Sequence, residues 1–146
     1  MELDQAYYTV NLYSLDKETV PNGCEDYCIH KVSYTESSED ESNEFFGLMF
    51  NTPEEAKERM KEIYYRLRFE KLSADSRRKE DTTYWYVRYD QDTQRLAYDV
   101  TSNVNGLIGF GDKQHLKDAV QEIGEVNVAK YILGLKDTVL YVRTPL

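Results

Sequence analysis

The sequence predicts an α+β fold, an antiparallel sheet with two principal helices. Three observations carry that expectation. Ala6–Leu15 alternates its side chains with period two. Two segments, near Pro53–Leu72 and Asp112–Val128, repeat apolar residues at helical spacing behind a capping residue. Short aromatic and β-branched runs elsewhere are bounded by turn residues.

Taken in order, AYYTVNLYSL (Ala6–Leu15) puts Ala6, Tyr8, Val10 and Leu12 on one face and Tyr7, Thr9, Asn11 and Tyr13 on the other. Pro21-Asn22-Gly23 has turn chemistry, so a second strand near Tyr27–Tyr34 closes a hairpin. ESSEDESNE (Glu36–Glu44) is polar and acidic and is expected to be an exposed loop. Phe45–Phe50 is expected to return the chain to the core. Helix one then starts strongly: Thr52 can cap, Pro53 suits the first helical position and Glu55 completes a capping box. Its apolar face is Ala56, Met60, Ile63, Tyr64 and Leu67, and SADSRRKED (Ser73–Asp81) follows as a charged linker.

The second half opens with an aromatic strand, Tyr84–Tyr89, a turn at Asp90–Gln94 and a return strand, Arg95–Thr101. Asn105-Gly106 is a hairpin signal and suggests a short β excursion within Asn103–Phe110. Asp112 caps a helix whose face is Leu116, Ala119, Val120, Ile123 and Val126. Gly134 ends it, and Thr138–Arg143 is a last strand. The halves look alike. At an offset of 60, Phe50-Asn51-Thr52 aligns with Phe110-Gly111-Asp112, Ala56 with Leu116, Met60 with Val120 and Ile63 with Ile123. The expected organisation is one domain over 1–146, holding ββα pseudo-repeats at 6–72 and 83–134 that share a core, with the strand at 138–143 added.

A chain of 146 residues is long enough to bury roughly 68–70% of its unfolded surface. Thirteen Tyr, five Phe and one Trp argue against disorder. No apolar run nears the ~18 residues of a membrane helix, and MELDQAYY lacks the basic start and apolar stretch of a signal peptide. A cytosolic protein is expected, with Cys24 and Cys28 as reduced thiols; with His30 they still fall short of a zinc site's four ligands. The net charge of −9 disfavours direct binding to nucleic acid. That charge is concentrated: Glu25–Glu58 holds ten acids against Lys31 and Lys57, whereas Arg66–Lys79 is basic.

No catalytic residue, cofactor or metal is expected. Gly109-Phe110-Gly111 lacks the third glycine of a dinucleotide loop, and Asp112 occupies the helix N-terminus a phosphate would need. Asp90-x-Asp92-x-Gln94 lacks the glycine and terminal glutamate of a calcium loop. His30 and His115, the only histidines, sit in no hydrolase or metalloprotease pattern. The aromatic and acidic residues are more informative. Tyr7 and Tyr13, and Tyr84 and Tyr86 with Arg88, are expected to point outward as a tyrosine-rich face. Such a face suits a partner interface, or packing on a helix or on a second copy of the chain. Glu36, Glu39, Asp40, Glu41 and Glu44 are expected to present carboxylates to a basic groove, or to be simply solvated.

A small, acidic, Tyr-rich chain of paired strands with Phe50-Asn51-Thr52-Pro53-Glu54-Glu55-Ala56 at a helix start resembles small bacteriophage accessory proteins, including anti-CRISPR and other anti-defence inhibitors. The resemblance rests on overall style and one short motif. It implies a non-enzymatic inhibitor occupying the basic nucleic-acid-binding surface of a partner protein, such as a defence nuclease. An immunity protein or antitoxin would use the same physics. A small-molecule-binding or enzymatic protein with a pocket between sheet and helices is the expectation from another class.

Overall fold

The computed structural model describes residues 1–11 and 29–135. Tyr13, the Pro21-Asn22-Gly23 turn, both cysteines and the strand expected at Thr138–Arg143 lie outside the described residues. The fold is α+β, and the chain divides into two compact units, Met1–Tyr64 and Tyr65–Leu146.

In the first unit β1 (Ala6–Val10) pairs antiparallel with β2 (Ile29–Ser33), placing Tyr7 opposite Val32 and Thr9 opposite His30. On its other edge β1 carries a single bridge: the Tyr8 N–H donates to the Phe50 carbonyl at 2.8 Å, and the Phe50 N–H donates back at 2.9 Å. Between β2 and that bridge lies α1 (Ser38–Phe45). The helix α2 (Pro53–Ser76) begins in this unit. Its start is as expected: the Glu55 N–H donates to Thr52 Oγ1 at 3.2 Å, and the Glu55 carboxylate accepts the N–H of Asn51 at 3.2 Å, one residue earlier than in the standard box. Val10, Ala56 and Met60 form the buried cluster, with Tyr8, Ile29, Phe50 and Tyr64 packed around it.

The buried stripe of α2 does not run straight. Ala56, Met60 and Tyr64 follow one helical row, whereas Tyr65, Phe69, Leu72 and Ser76 follow another, one residue out of phase. Leu67, expected on the core face, continues the first row and is therefore 59% exposed.

In the second unit β3 (Tyr84–Asp90) pairs antiparallel with β4 (Arg95–Thr101), from Tyr84↔Thr101 to Asp90↔Arg95. The free edge of β3 again makes one bridge, between Trp85 and Phe110, with both hydrogen bonds at 2.8 Å. The expected β excursion is only this bridge. Residues before it turn instead, with the Leu107 N–H donating to the Val104 carbonyl and Gly106 at φ 77°. Then come α3 (Lys113–Ile123), α4 (Glu125–Asn127) and a short π-helix, Val128–Ile132. Asp112 caps α3 by accepting the His115 N–H at 2.8 Å. The helical row ends at Gly124, φ 97°, so Val126 loses the expected phase and is 56% exposed. Phe69, Val87, Phe110, Leu116, Ala119, Val120, Ile123 and Val128 form this unit's own buried cluster.

Some positions 60 residues apart play matching local roles, although Ile63 is half-buried where Ile123 is buried. Phe50 and Phe110 bridge the first strand of a hairpin, Thr52 and Asp112 cap a helix, and Ala56, Met60, Leu116 and Val120 are buried. The glycines around Phe110 answer to packing. A Cβ on Gly111 would lie 2.2 Å from the Ser76 carbonyl, and one on Gly109 would lie 2.9 Å from the Tyr84 Cβ. Two buried serines of α2 fasten this strip. Ser73 Oγ donates to the Gly109 carbonyl at 2.5 Å, and Ser76 Oγ accepts the Gly111 N–H at 3.0 Å. Among the described residues, no helix is long and apolar enough to cross a membrane.

Candidate functional site

The segment expected to be an acidic loop is the helix α1. It has no apolar stripe to drive it, so local bonds define it. Ser37 caps it in a full box: the Asp40 N–H donates to Ser37 Oγ at 3.1 Å, and the Ser37 N–H donates to Asp40 Oδ2 at 3.0 Å. At the other end the Leu48 N–H donates to the Asn43 carbonyl at 2.7 Å and the Gly47 N–H to the Glu44 carbonyl at 3.2 Å. This is a Schellman closure, and it needs the left-handed Gly47, φ 67°.

Asp40 locks this helix to the sheet. Tyr7 Oη donates to Asp40 Oδ1 at 2.5 Å, the Thr35 N–H donates to Oδ2 at 2.8 Å, and Asn43 Nδ2 donates to Tyr7 Oη at 3.0 Å. The Tyr7 hydroxyl, followed by the backbone N–H of Thr35, outweighs desolvation and holds the Asp40 carboxyl well below the usual carboxylate range. Burial first, and the bond to Asp40 second, push the Tyr7 phenol up.

Two expected partner-binding residues are therefore corrected: Asp40 and Tyr7 are both buried. The alternation along β1 is right for Tyr8 and Val10, which pack with α2. The opposite face, expected to be outward, is the one α1 covers. The remaining acids stay on the surface. Glu36, Glu39, Glu41 and Glu44 are exposed, and among the described residues none of them takes part in an ion pair. Directly after them Phe45 and Phe46 stand 82% and 65% exposed, edge to face with ring centres 5.0 Å apart. These two rings do not return the chain to the core as expected. Phe50 does.

The expected tyrosine face is less open than the sequence suggests. Tyr84 and Tyr86 are half-buried on β3 in the second unit. Gly109 lies against the Tyr84 ring, and the Tyr84 hydroxyl donates to the Asp81 carbonyl at 3.2 Å. Asp99, opposite Tyr86, is held by Arg88. Several charges in this unit are paired: Arg68 grips Glu122 with two bonds of 2.8 and 2.9 Å, Arg66 meets Glu70, and Lys71 meets Asp75.

Two clefts border these elements. One, about 410 Å³, is lined by Thr9, Val10, Asn11, His30, Glu39, Asn43 and Leu48, between β1, β2 and α1. Thr9 is 5% exposed, and its Oγ1 is buried with no hydrogen-bond partner. An unsatisfied buried hydroxyl costs about 1–3 kcal/mol. The other, about 190 Å³, is lined by Leu72, Asp75, Ser76, His115, Asp118, Ala119 and Glu122. Its acids already have partners in Lys71, Gln114 and Arg68, and its histidine in Asp112. Among the described residues, no three His, Cys, Asp or Glu side chains are grouped to hold a metal ion. The Asp90 carboxylate accepts the Asp92 N–H at 3.0 Å, a local turn.

No protein-family model, curated protein or solved structure matches this chain. Sequence reasoning missed α1 although its signals were present: Ser37-x-x-Asp40 has capping-box spacing, and Gly47 has the position of a C-terminal glycine.

Proposed function

We propose that this protein is a non-enzymatic binding protein of the phage anti-defence type, which docks α1 and the Phe45–Phe46 pair on the basic nucleic-acid-binding surface of a partner protein and inhibits it by occupying that surface. One observation carries the reading: Glu39, Glu41 and Glu44 on a doubly capped helix, with Glu36 just before its cap, have no ion-pair partner among the described residues and stand beside two adjacent exposed phenylalanines. The two features divide the work. Carboxylates on a rigid frame steer a basic partner and raise the association rate. Aromatic rings at the centre of an interface supply the affinity, about 2 kcal/mol for each ring fully buried. Asp40 contributes by fixing the helix. An immunity protein or antitoxin would use the same surface in the same way.

The test is a competition experiment on a partner recovered by affinity capture from host cells. The protein should displace nucleic acid from that partner, less well at high salt. Phe45→Ala with Phe46→Ala should raise the dissociation rate. Glu36→Gln, Glu39→Gln, Glu41→Gln and Glu44→Gln together should slow association at low salt. If both variants compete as well as the parent chain, the reading is wrong.

A further inference from the structure

The cleft beside α1 is lined in part by Thr9, whose Oγ1 is buried without a hydrogen-bond partner. Its acceptors favour a donor-rich ligand. Glu39 can only accept hydrogen bonds. Asn43 gives one Nδ2 hydrogen to Tyr7 and offers Oδ1 as an acceptor. Thr9 Oγ1 has free lone pairs and no partner. His30 adds a flat ring and an acceptor nitrogen when neutral. Val10 and Leu48 supply apolar wall. Behind this lining Asp40 is held ionised, and Glu36, Glu41 and Glu44 surround the same helix. A ligand that fits must bring several donors, positive charge and an aliphatic stem.

We infer that the cleft formed by Thr9, His30, Glu39 and Asn43 binds a guanidinium group, the head of an arginine side chain presented by the docked partner. Guanidinium carries five N–H donors in one plane and is weakly hydrated, so it can serve Glu39, Asn43 Oδ1 and Thr9 Oγ1 while lying on the imidazole. An ammonium has three donors on one point and satisfies fewer of them. The inference rests on the docking reading for the source of the arginine. The cleft itself is testable without any partner.

The experiment is a titration of the isotope-labelled full chain, followed by NMR, with N-acetyl-arginine methylamide, its lysine counterpart and its citrulline counterpart. Citrulline keeps the shape and loses the charge. Saturable shifts at Thr9, His30, Glu39 and Asn43 are expected with the arginine probe, weaker ones with lysine and none with citrulline. Glu39→Gln and, separately, Thr9→Val should each weaken arginine binding about tenfold. Thr9→Val is also expected to raise the unfolding midpoint, because it removes an unpaired buried hydroxyl without changing side-chain shape. That opposite movement separates a ligand-binding threonine from a merely structural one. Equal binding of the citrulline probe, no shifts with arginine, or unchanged affinity in Thr9→Val would overturn the inference. Arginine binding in a chain that captures no basic partner would leave the cleft site standing and sink the docking reading. A partner that binds through α1 while the arginine probe does not bind would do the reverse.

Discussion

Both units build the same frame, a hairpin whose first strand is bridged by a phenylalanine that leads into a capped helix. They differ in the connector between hairpin and bridge. In the first unit residues 34–49 include α1 (Ser38–Phe45), tied down by one buried carboxylate, with Glu36, Glu39, Glu41, Glu44, Phe45 and Phe46 left to solvent. In the second unit residues 102–109 fold back tightly, with Gly109 against Tyr84 and Val104 and its carbonyl taken by Ser73. Only the end of this connector is packed closely: Gly109 is buried, whereas Ser102, Asn103, Asn105, Gly106 and Leu107 are exposed. A connector held through a single side-chain anchor keeps most of its length available for a partner. Glu122, Glu70, Asp75 and Asp99 of the second unit have cations, whereas the four surface acids of the α1 region have none among the described residues.

Substitutions can break or sharpen this contrast. The largest effect is expected at Gly111→Ala, where the new methyl would sit 2.2 Å from the Ser76 carbonyl. Displacing backbone there should cost about 3 kcal/mol in denaturant unfolding. A loss below about 1 kcal/mol would mean that the strip just beyond the Phe110 bridge is not held by close approach.

Next comes the anchor of the first connector. Tyr7→Phe removes a hydrogen bond to a charged group and should cost about 2 kcal/mol. Asp40→Asn tests the same lock through pH. The carboxyl's folded-state pKa is depressed, so its stabilisation is present above the unfolded-state value of about 4 and is lost as pH falls through the lower folded value. The stability gap between the parent chain and Asp40→Asn should therefore be constant from neutral pH down to about 5 and narrow in stronger acid. A gap that does not narrow would show that Asp40 acts by shape rather than charge.

Gly47→Ala should cost about 1 kcal/mol, because φ is 67° although nothing lies within 4 Å of the added methyl. Here conformation sets the cost, whereas at Gly111 it is contact. The smallest effect is expected from replacing Glu36, Glu39, Glu41 and Glu44 together with Gln, within about 0.5 kcal/mol of the parent chain. Asp40 must be left in place, because including it would remove the lock and confound folding with binding. A large loss in the quadruple variant would show that these acids support the fold instead of being free for a partner.

Composition, local period and capping chemistry were enough to determine the α+β class, the β3–β4 hairpin and the starts of α2 and α3. Alternation along Tyr84–Tyr89, Thr52 with Glu55, and Asp112 act within a few residues, so they are visible in the chain itself. The tertiary structure decided the rest. Period two says that Tyr7 and Tyr8 lie on opposite faces of β1, but it cannot say that both faces are covered. Ser37–Gly47 has helix signals without an apolar stripe, and the bond that anchors it joins Asp40 to a tyrosine 33 positions away. A buried carboxylate and a solvated one look the same in sequence. Only the hydroxyl and the backbone N–H groups brought to it by folding distinguish Asp40 from Glu39 and Glu41.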